Sequence, residues 1–282
     1  MRKLFASLFA GLPGCPPGAA LRLGVTANAI ALVETRRWQR DARVLAELAL
    51  DPALALPAAL LAAAGSLFDT VRRDGWPLTV VLADDLVRLW HVTPPAGCSR
   101  LADLQAAAAL RFQQLYGEPA ASWQLSADWQ LDRPFLAAAA PRPLLASVQQ
   151  AGAAHAMTVL EVAPQFVVML NRWRASLAPG DWFGVVHDGV LTLGVCDGNG
   201  GGALLALRAL ASGAHPNGAA LREQVAREAL RLNLPAPARL RLCGSVPPAW
   251  HAVDGCTVLG AAAGSAPEAS PALQLAGCGS LS

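Results

Sequence analysis

The chain has 282 residues, enough for one large domain or two moderate ones with a real core. Its 54% hydrophobic and 15% charged content lies on the apolar side of the globular average, and much of the excess is alanine. A formal net charge of +2, with arginine spread along the chain and Lys3 as its one lysine, excludes a nucleic-acid footprint, because there is no basic stripe and no aromatic interleaving. The cysteines at 15, 98, 196, 243, 256 and 278 lack the spacing of a zinc clamp and are too sparse for a disulfide framework. They read as free thiols of a reducing cytoplasm. No segment reaches about 18 uninterrupted apolar residues, so a transmembrane helix is not expected.

In chain order, the first element is a leader. MRKLFASLFAGLPGC carries two basic residues, an apolar run and then Leu12-Pro13-Gly14-Cys15, the pattern of a lipoprotein signal with Cys15 as the lipidated residue. The run is only about nine residues and Pro13 sits just before the cleavage point. A short amphipathic lead on a cytoplasmic protein is the stronger expectation. It would have Phe5, Leu8 and Phe9 on one helical face that could touch a membrane surface or a partner. A Gly- and Pro-rich joint follows.

Strands are predicted at Leu21–Thr26, Ala29–Thr35 and Ala42–Leu48, a three-stranded meander whose second turn is the polar cluster at 36–41. Asp51 to Arg73 reads as helix, and Gly75-Trp76-Pro77 breaks it. Leu78 to Pro95 reads as a pair of strands around Ala83-Asp84-Asp85. Leu101 to Tyr116 is a helix stopped by Gly117. Strands around Trp123–Trp129 and Pro134–Ala140, a helix over Pro141–Met157, a strand over Thr158–Pro164 and a helix over Gln165–Ala175 complete the middle. Asp181 to Ala211 then repeats the meander, again followed by a helix, Asn217–Leu232, and by a short strand in ARLRLCGS. The tail from Gly264 is rich in Ala, Ser, Pro and Gly and lacks periodicity, so it is expected to be disordered or loosely draped.

Motifs that could carry chemistry each have a plainer reading. DGNGGG, Asp197 to Gly202, could cradle a phosphate, but it lacks Gly-Lys-Ser/Thr and precedes a strand, so a hairpin turn is expected. Asp84 and Asp85 could form a paired-carboxylate site, but aspartate in a tight turn serves the backbone. The five histidines are scattered without metal-ligand spacing. Trp123, Trp129, Trp173 and Trp182 read as core or interface residues.

The duplicated meander and the order of elements resemble the PilM group of actin-like proteins and the cytoplasmic part of GspL-type secretion proteins. The resemblance is carried by Gly24-Val25-Thr26 and Ala29-Ile30-Ala31-Leu32-Val33-Glu34, by LTVVLADDLVRLWHVTPP, by LADLQAAAALRFQQLYG and by FLAAAAPRPLLASVQQAGAAHAMTVLEVAPQFVVMLNRW, and spans about residues 21 to 260. It implies an actin-like, ribonuclease H-like α/β fold: two facing meander-plus-helix halves with a small inserted subdomain. The organisation it suggests is a leader over 1–19, a first half over 20–95, an inserted α/β subdomain over 96–140, a return to the first half over 141–180, a second, reduced half over 181–263 and a flexible tail over 264–282.

The family's phosphate-binding residues are not matched. Its first acidic residue would fall at Thr26, in a turn that includes Asn28, and its lysine at Ala31. In the second meander the acidic residue would fall near His187, and the glycine turn is compressed to Asp188-Gly189. The late glycine pair is represented only by Cys243-Gly244-Ser245. Phosphate binding needs backbone donors on a glycine turn and a carboxylate to hold Mg²⁺. The resemblance therefore implies degenerate phosphate turns at Thr26, Asn28, His187, Asp188 and Gly189, no cofactor, no metal and no catalytic residue. By the same resemblance the protein is a non-catalytic cytoplasmic scaffold, peripheral to the inner membrane, in type IV pilus or type II secretion assembly. Its partners would be the cytoplasmic segment of a PilN-like inner-membrane protein and an assembly ATPase, with no nucleic acid; the partner-binding residues are not implied. The rival reading is an ATPase or kinase of the same superfold.

Overall fold

The computed structural model describes residues 15–36, 42–197, 204–211, 217–260 and 269–278. The expected leader helix, the lipoprotein pattern before Cys15, the polar turn at 37–41 and most of the glycine-rich loop, 198–203, lie outside the described residues. Strands β1 (Ala19–Val25), β2 (Ala29–Arg36) and β3 (Arg43–Ala49) precede helix α1 (Leu56–Val71) and strand β4 (Pro77–Leu82). Then come β5 (Arg88–Val92), α2 (Leu101–Tyr116), β6 (Trp123–Ala127), β7 (Phe135–Pro141), α3 (Arg142–Ala154), β8 (Thr158–Pro164) and α4 (Gln165–Trp173). The remainder supplies β9 (Trp182–His187), β10 (Val190–Cys196), β11 (Leu204–Ala211), α5 (Gly218–Arg231), β12 (Leu240–Gly244), β13 (Cys256–Val258) and α6 (Pro271–Gly277).

Two compact units result. The first contains the described residues of Met1–Leu86, Arg142–Val168 and Glu268–Ser282. Its sheet has the order β3-β2-β1-β4-β8, antiparallel on the meander side and parallel where β4 and β8 join. A strand parallel to both neighbours is covered on both faces and so reads as a nearly continuous apolar run, as β4, PLTVVL, does. Alternation along each strand places one cross-strand row, Leu32, Leu23 and Val80, on one face and the next row, Ala31, Gly24 and Val81, on the other. All six are at most 1% exposed or glycine. The Ala31–Gly24–Val81 face lies beneath α6: Ala31 and Val33 cluster with Ala272 and Ala276, and Val81 with Leu275.

Gly24 makes this approach possible. A Cβ built on it would lie 2.2 Å from the Ala272 carbonyl oxygen and 2.6 Å from the Ala276 amide nitrogen, both backbone atoms that have no rotamer to yield. The tail is therefore not loosely draped over its described part. It forms a seven-residue helix, begun by Ser270, whose hydroxyl accepts the Leu273 amide at 3.2 Å, with Pro271 in the first turn. The apolar residues Ala272, Leu275 and Ala276 give too short a period to stand out in the sequence, but they are nearly fully buried.

The expected strand pair around Ala83-Asp84-Asp85 is also corrected. Strand β4 already has β1 and β8 on its two edges, so β5 cannot pair with it and joins another sheet. Residues Asp84–Leu86 form a 3-10 turn, and the Asp84 carboxylate accepts the Phe166 amide at 2.9 Å in the first turn of α4.

The second unit contains the described residues of Val87–Pro141 and Met169–Pro267. Its larger sheet, β11-β10-β9-β12-β13, repeats the first sheet's plan of a meander, a helix and a parallel return strand. Helix α5 buries Leu221, Val225 and Ala229 with Trp182, Leu242 and Trp250 of that half. Strand β13 is reached from β12 through a 3-10 turn at Pro248–Trp250, whereas between β4 and its parallel partner β8 the chain runs through β5, α2, β6, β7 and α3. Asp181, with no exposed surface, anchors the sheet's start: its carboxylate lies 2.5 Å from Arg239 Nε and accepts the Ala178 amide at 2.9 Å. The smaller sheet, β5-β7-β6, packs on α2 around Trp90, Phe112, Trp123 and Phe135. The six cysteines are free thiols, and burial pushes Cys196 up to about 11. Among the described residues no helix is long and apolar enough to cross a membrane.

Gly24→Ala is expected to lower the unfolding free energy by about 1–3 kcal/mol through overpacking. Gly65→Ala, in α1 with nothing within 4 Å of the added carbon, is expected to raise it by about 0.5–1 kcal/mol. Urea midpoints of the two variants test both signs.

A second prediction concerns pH. His155 Nε2 lies 3.0 Å from Asp69 Oδ1, and Nδ1 lies 3.1 Å from the Ala151 carbonyl. The Asp69 hydrogen bond holds the imidazole above its usual range against the opposing effect of burial, helped by Ala151 and by the charges of Asp69 and Asp74. A raised folded-state value means the added stability is fully present below about pH 6.5 and is lost as pH rises through the folded value. Asp69 is 79% exposed, which keeps the gain within about 0.2–1 kcal/mol. Asp69→Asn should therefore lower the urea midpoint clearly at pH 5.5 and much less at pH 9.

Candidate functional site

The turn between β1 and β2 is Thr26-Ala27-Asn28. Thr26 is buried, and its amide closes the turn on the Ala29 carbonyl at 2.9 Å. Its hydroxyl donates to the same carbonyl at 3.0 Å and accepts the Ala29 amide at 2.9 Å and the Asn28 amide at 3.3 Å. The Asn28 carbonyl accepts the Leu50 amide at 2.8 Å. An anion-binding turn works by leaving successive backbone N–H groups free to converge on the ligand. Here those of Asn28 and Ala29 converge on a threonine oxygen. Ala31, where the resemblance implies a lysine, has no exposed surface and packs against Ala272 and Ala276.

The matching turn of the second unit is Asp188-Gly189. Both residues have positive φ, 43° and 75°, and His187 pairs with Val190 across them. This is the geometry of a two-residue type I′ hairpin, and Asp is among the few residues that tolerate it. His187 is buried at the end of β9. The late glycine turn folds back on the same strand. Gly244 has φ 88°, a Cβ on it would lie 2.2 Å from the Val186 carbonyl oxygen, and the Ser245 amide donates to that oxygen at 2.9 Å. Thr26 and Asn28 thus share one turn in the first unit, and His187, Asp188 and Gly189 share one turn in the second.

Other residues singled out from the sequence go elsewhere. Asp84 caps α4, and Asp85 is exposed beside it in the 3-10 turn. Among the described residues no three His, Cys, Asp or Glu side chains come together as a metal would need. Trp123 and Trp182 are core residues, Trp123 with the Arg88 guanidinium 5.2 Å above its ring.

A groove in the second unit was not anticipated. Strand β5 is the edge of the small sheet and β11 the edge of the large one. The two edges approach each other, with the partly buried His91 among the residues between them. Burial holds His91 below its usual range. Residues 89–93 of the β5 segment, residues 205–208 of β11 and the outer face of α2 enclose about 630 Å³. The α2 face presents Ala107, Leu110, Arg111, Gln114 and Leu115. Leu110, Leu115 and Leu205 are 60%, 44% and 43% exposed. The sequence signal was present: α2 has apolar residues beyond those its buried stripe, Leu104, Ala108 and Phe112, requires.

Two sheets of equivalent topology, each a meander with a parallel continuation, together with a small sheet-and-helix insertion after β4, define the actin-like fold. Solved structures bear this out. The chain is similar to a Bacteroides thetaiotaomicron protein with an actin-like ATPase fold and unknown function, at 10% identity and TM-score 0.55, over 82% of this chain and 84% of that one. It is similar to the PilM-PilN type IV pilus biogenesis complex at 21% identity and TM-score 0.51, over 74% of this chain and 65% of that one. It is also similar to the cytoplasmic domain of EpsL, an inner-membrane component of the Vibrio cholerae type II secretion system, at 12% identity and TM-score 0.53, over 92% of each chain. No protein-family model and no curated protein matches the sequence.

Thr26→Val should leave the Asn28 and Ala29 amides without their acceptor and lower stability by about 1–3 kcal/mol. Thr26→Ser should retain most of it. Hydrogen exchange at those two amides is the direct readout, and unchanged protection in Thr26→Val would contradict the assigned bonds.

Proposed function

We propose that this protein is a non-catalytic cytoplasmic scaffold of type IV pilus or type II secretion assembly, peripheral to the inner membrane. In this reading it holds the cytoplasmic segment of a PilN-like membrane protein and relays to an assembly ATPase. The observation that carries the non-catalytic part is the Thr26 turn. Its hydroxyl takes up the two amides that a phosphate would need, in a position where a metal-binding carboxylate is absent. The compact Asp188-Gly189 hairpin supports the same reading for the second turn, since a two-residue loop has no run of free N–H groups. The assembly role is supported by the fold shared with the PilM-PilN complex and the EpsL cytoplasmic domain.

Melting with and without saturating Mg²⁺-ATP is the first test. A ligand at about one hundred times its dissociation constant adds roughly 2.7 kcal/mol, which moves the melting point of a chain this size by several degrees. No shift is expected. A clear shift accompanied by hydrolysis would replace the scaffold reading with an ATPase or kinase. Titration calorimetry with the cytoplasmic segment of a PilN-like protein tests the partner, and binding is expected.

A further inference from the structure

Helix α2 carries two apolar stripes. One, Leu104, Ala108 and Phe112, is buried in the small sheet's core. The other, Ala107, Leu110, Leu115 with Arg111 and Gln114, runs at i, i+3, i+4, i+7 and i+8 along the groove, the spacing of a helix-docking seam about 12 Å long. Ala107 also touches the small sheet's core, but Leu110 and Leu115 remain 60% and 44% exposed. Leu205 of β11 faces the same space, so the exposed leucines belong to one concave patch and not to scattered surface positions.

The charged residues that line the patch are both arginines. Arg111 and Arg208 line it, and none of its lining residues is Asp or Glu. Arg208 lies 3.8 Å from Glu228 but keeps 54% of its side chain exposed, leaving a guanidinium available at the rim. Burial holds the His91 imidazole, which also lines the groove, below its usual range. An apolar seam flanked by two arginines complements an apolar ridge flanked by carboxylates.

We propose that the groove formed by α2, β5 and β11 docks an amphipathic helix of a partner protein, with leucine-type side chains on one face and glutamates or aspartates along its flank. The proposal rests on the scaffold reading in needing a partner, but it names the surface and the chemistry of the contact. The leucines would enter between Leu110, Leu115 and Leu205, and the carboxylates would meet Arg111 and Arg208.

The probe is a fluorescein-labelled peptide of about four helical turns, leucines on one face and glutamates beside them, followed by fluorescence anisotropy on the full chain. Leu110→Asp and Arg111→Glu alter exposed side chains, and unchanged melting temperatures confirm their folding. Each is expected to weaken binding at least about tenfold, equivalent to roughly 1.4 kcal/mol. A lysine-for-glutamate probe should bind the wild type at least about tenfold more weakly and bind Arg111→Glu better than it binds the wild type. A proline at the centre of the probe should abolish binding. The proposal is overturned if the glutamate probe does not bind, if the variants bind it as the wild type does, if the proline probe binds equally, or if Arg111 is needed only for phosphatidylglycerol vesicles. The PilN-like segment separates the two readings. If it binds wild type and Arg111→Glu alike while the glutamate probe does not bind, the scaffold stands and the groove assignment falls. If the glutamate probe binds the groove and no PilN-like segment binds at all, the groove stands and the scaffold reading falls.

Discussion

The first unit is organised by a steric constraint on its central strand. Strand β1 has hydrogen-bonded neighbours on both edges and must also be covered on both faces, because its polar backbone and apolar side chains have no solvated side to turn to. One face is filled by large side chains, Leu21, Leu23 and Val25. The other is filled by backbone, since α6 lies so close that residue 24 has no room for a side chain. Ala31 on one neighbour and Val81 on the other keep the bed shallow, and Ala272 and Ala276 keep the helix thin where it crosses. The small residues on both surfaces are therefore one feature. Enlarging any of them lifts the helix from the whole row.

The same economy of space shapes the turn that follows β1. The strand leads directly into Thr26, whose hydroxyl is the hydrogen-bonding centre of the turn. In the second unit the matching turn is a two-residue hairpin with both residues at positive φ. The two halves thus use unrelated local chemistry to close topologically equivalent turns. The sheet plan is duplicated while the turns differ in how they close.

The duplication was legible in the sequence because alternation and continuous apolar runs survive in both meanders, from Leu21 to Val33 and from Trp182 to Cys196. The helices α2 and α5 were legible from their period and from Gly117 and Asn217 at their ends. Other features depended on contacts distant in sequence. The sequence around Asp84 looks like a hairpin turn, and only the occupied edges of β4 and the Phe166 amide show why the chain leaves the sheet there. Helix α6 has a cap signal in Ser270-Pro271 but only three buried side chains, so its stability comes from Gly24 and Ala31, far away along the chain. At the turns, the sequence showed that the expected acidic residues were absent. It could not show that the Thr26 hydroxyl engages the neighbouring amides. The α2 groove stayed hidden because a helix with apolar residues on two faces reads from sequence simply as a well-buried helix.

The reach of α6 back to β1 also bears on how the protein is made. Val81, the last of the three residues beneath α6, precedes Ala272 by about 190 positions, and a ribosome adding about 5–20 residues per second needs roughly 10–40 s to cover them. Throughout that interval the Gly24 face of the sheet is without its cover, while both segments of the second unit, Val87–Pro141 and Met169–Pro267, emerge. The apolar strip of Ala31, Val33 and Val81 is then a surface that a chaperone could hold or a neighbouring nascent chain could capture. Completion of the earliest strands thus waits on the arrival of some of the last residues.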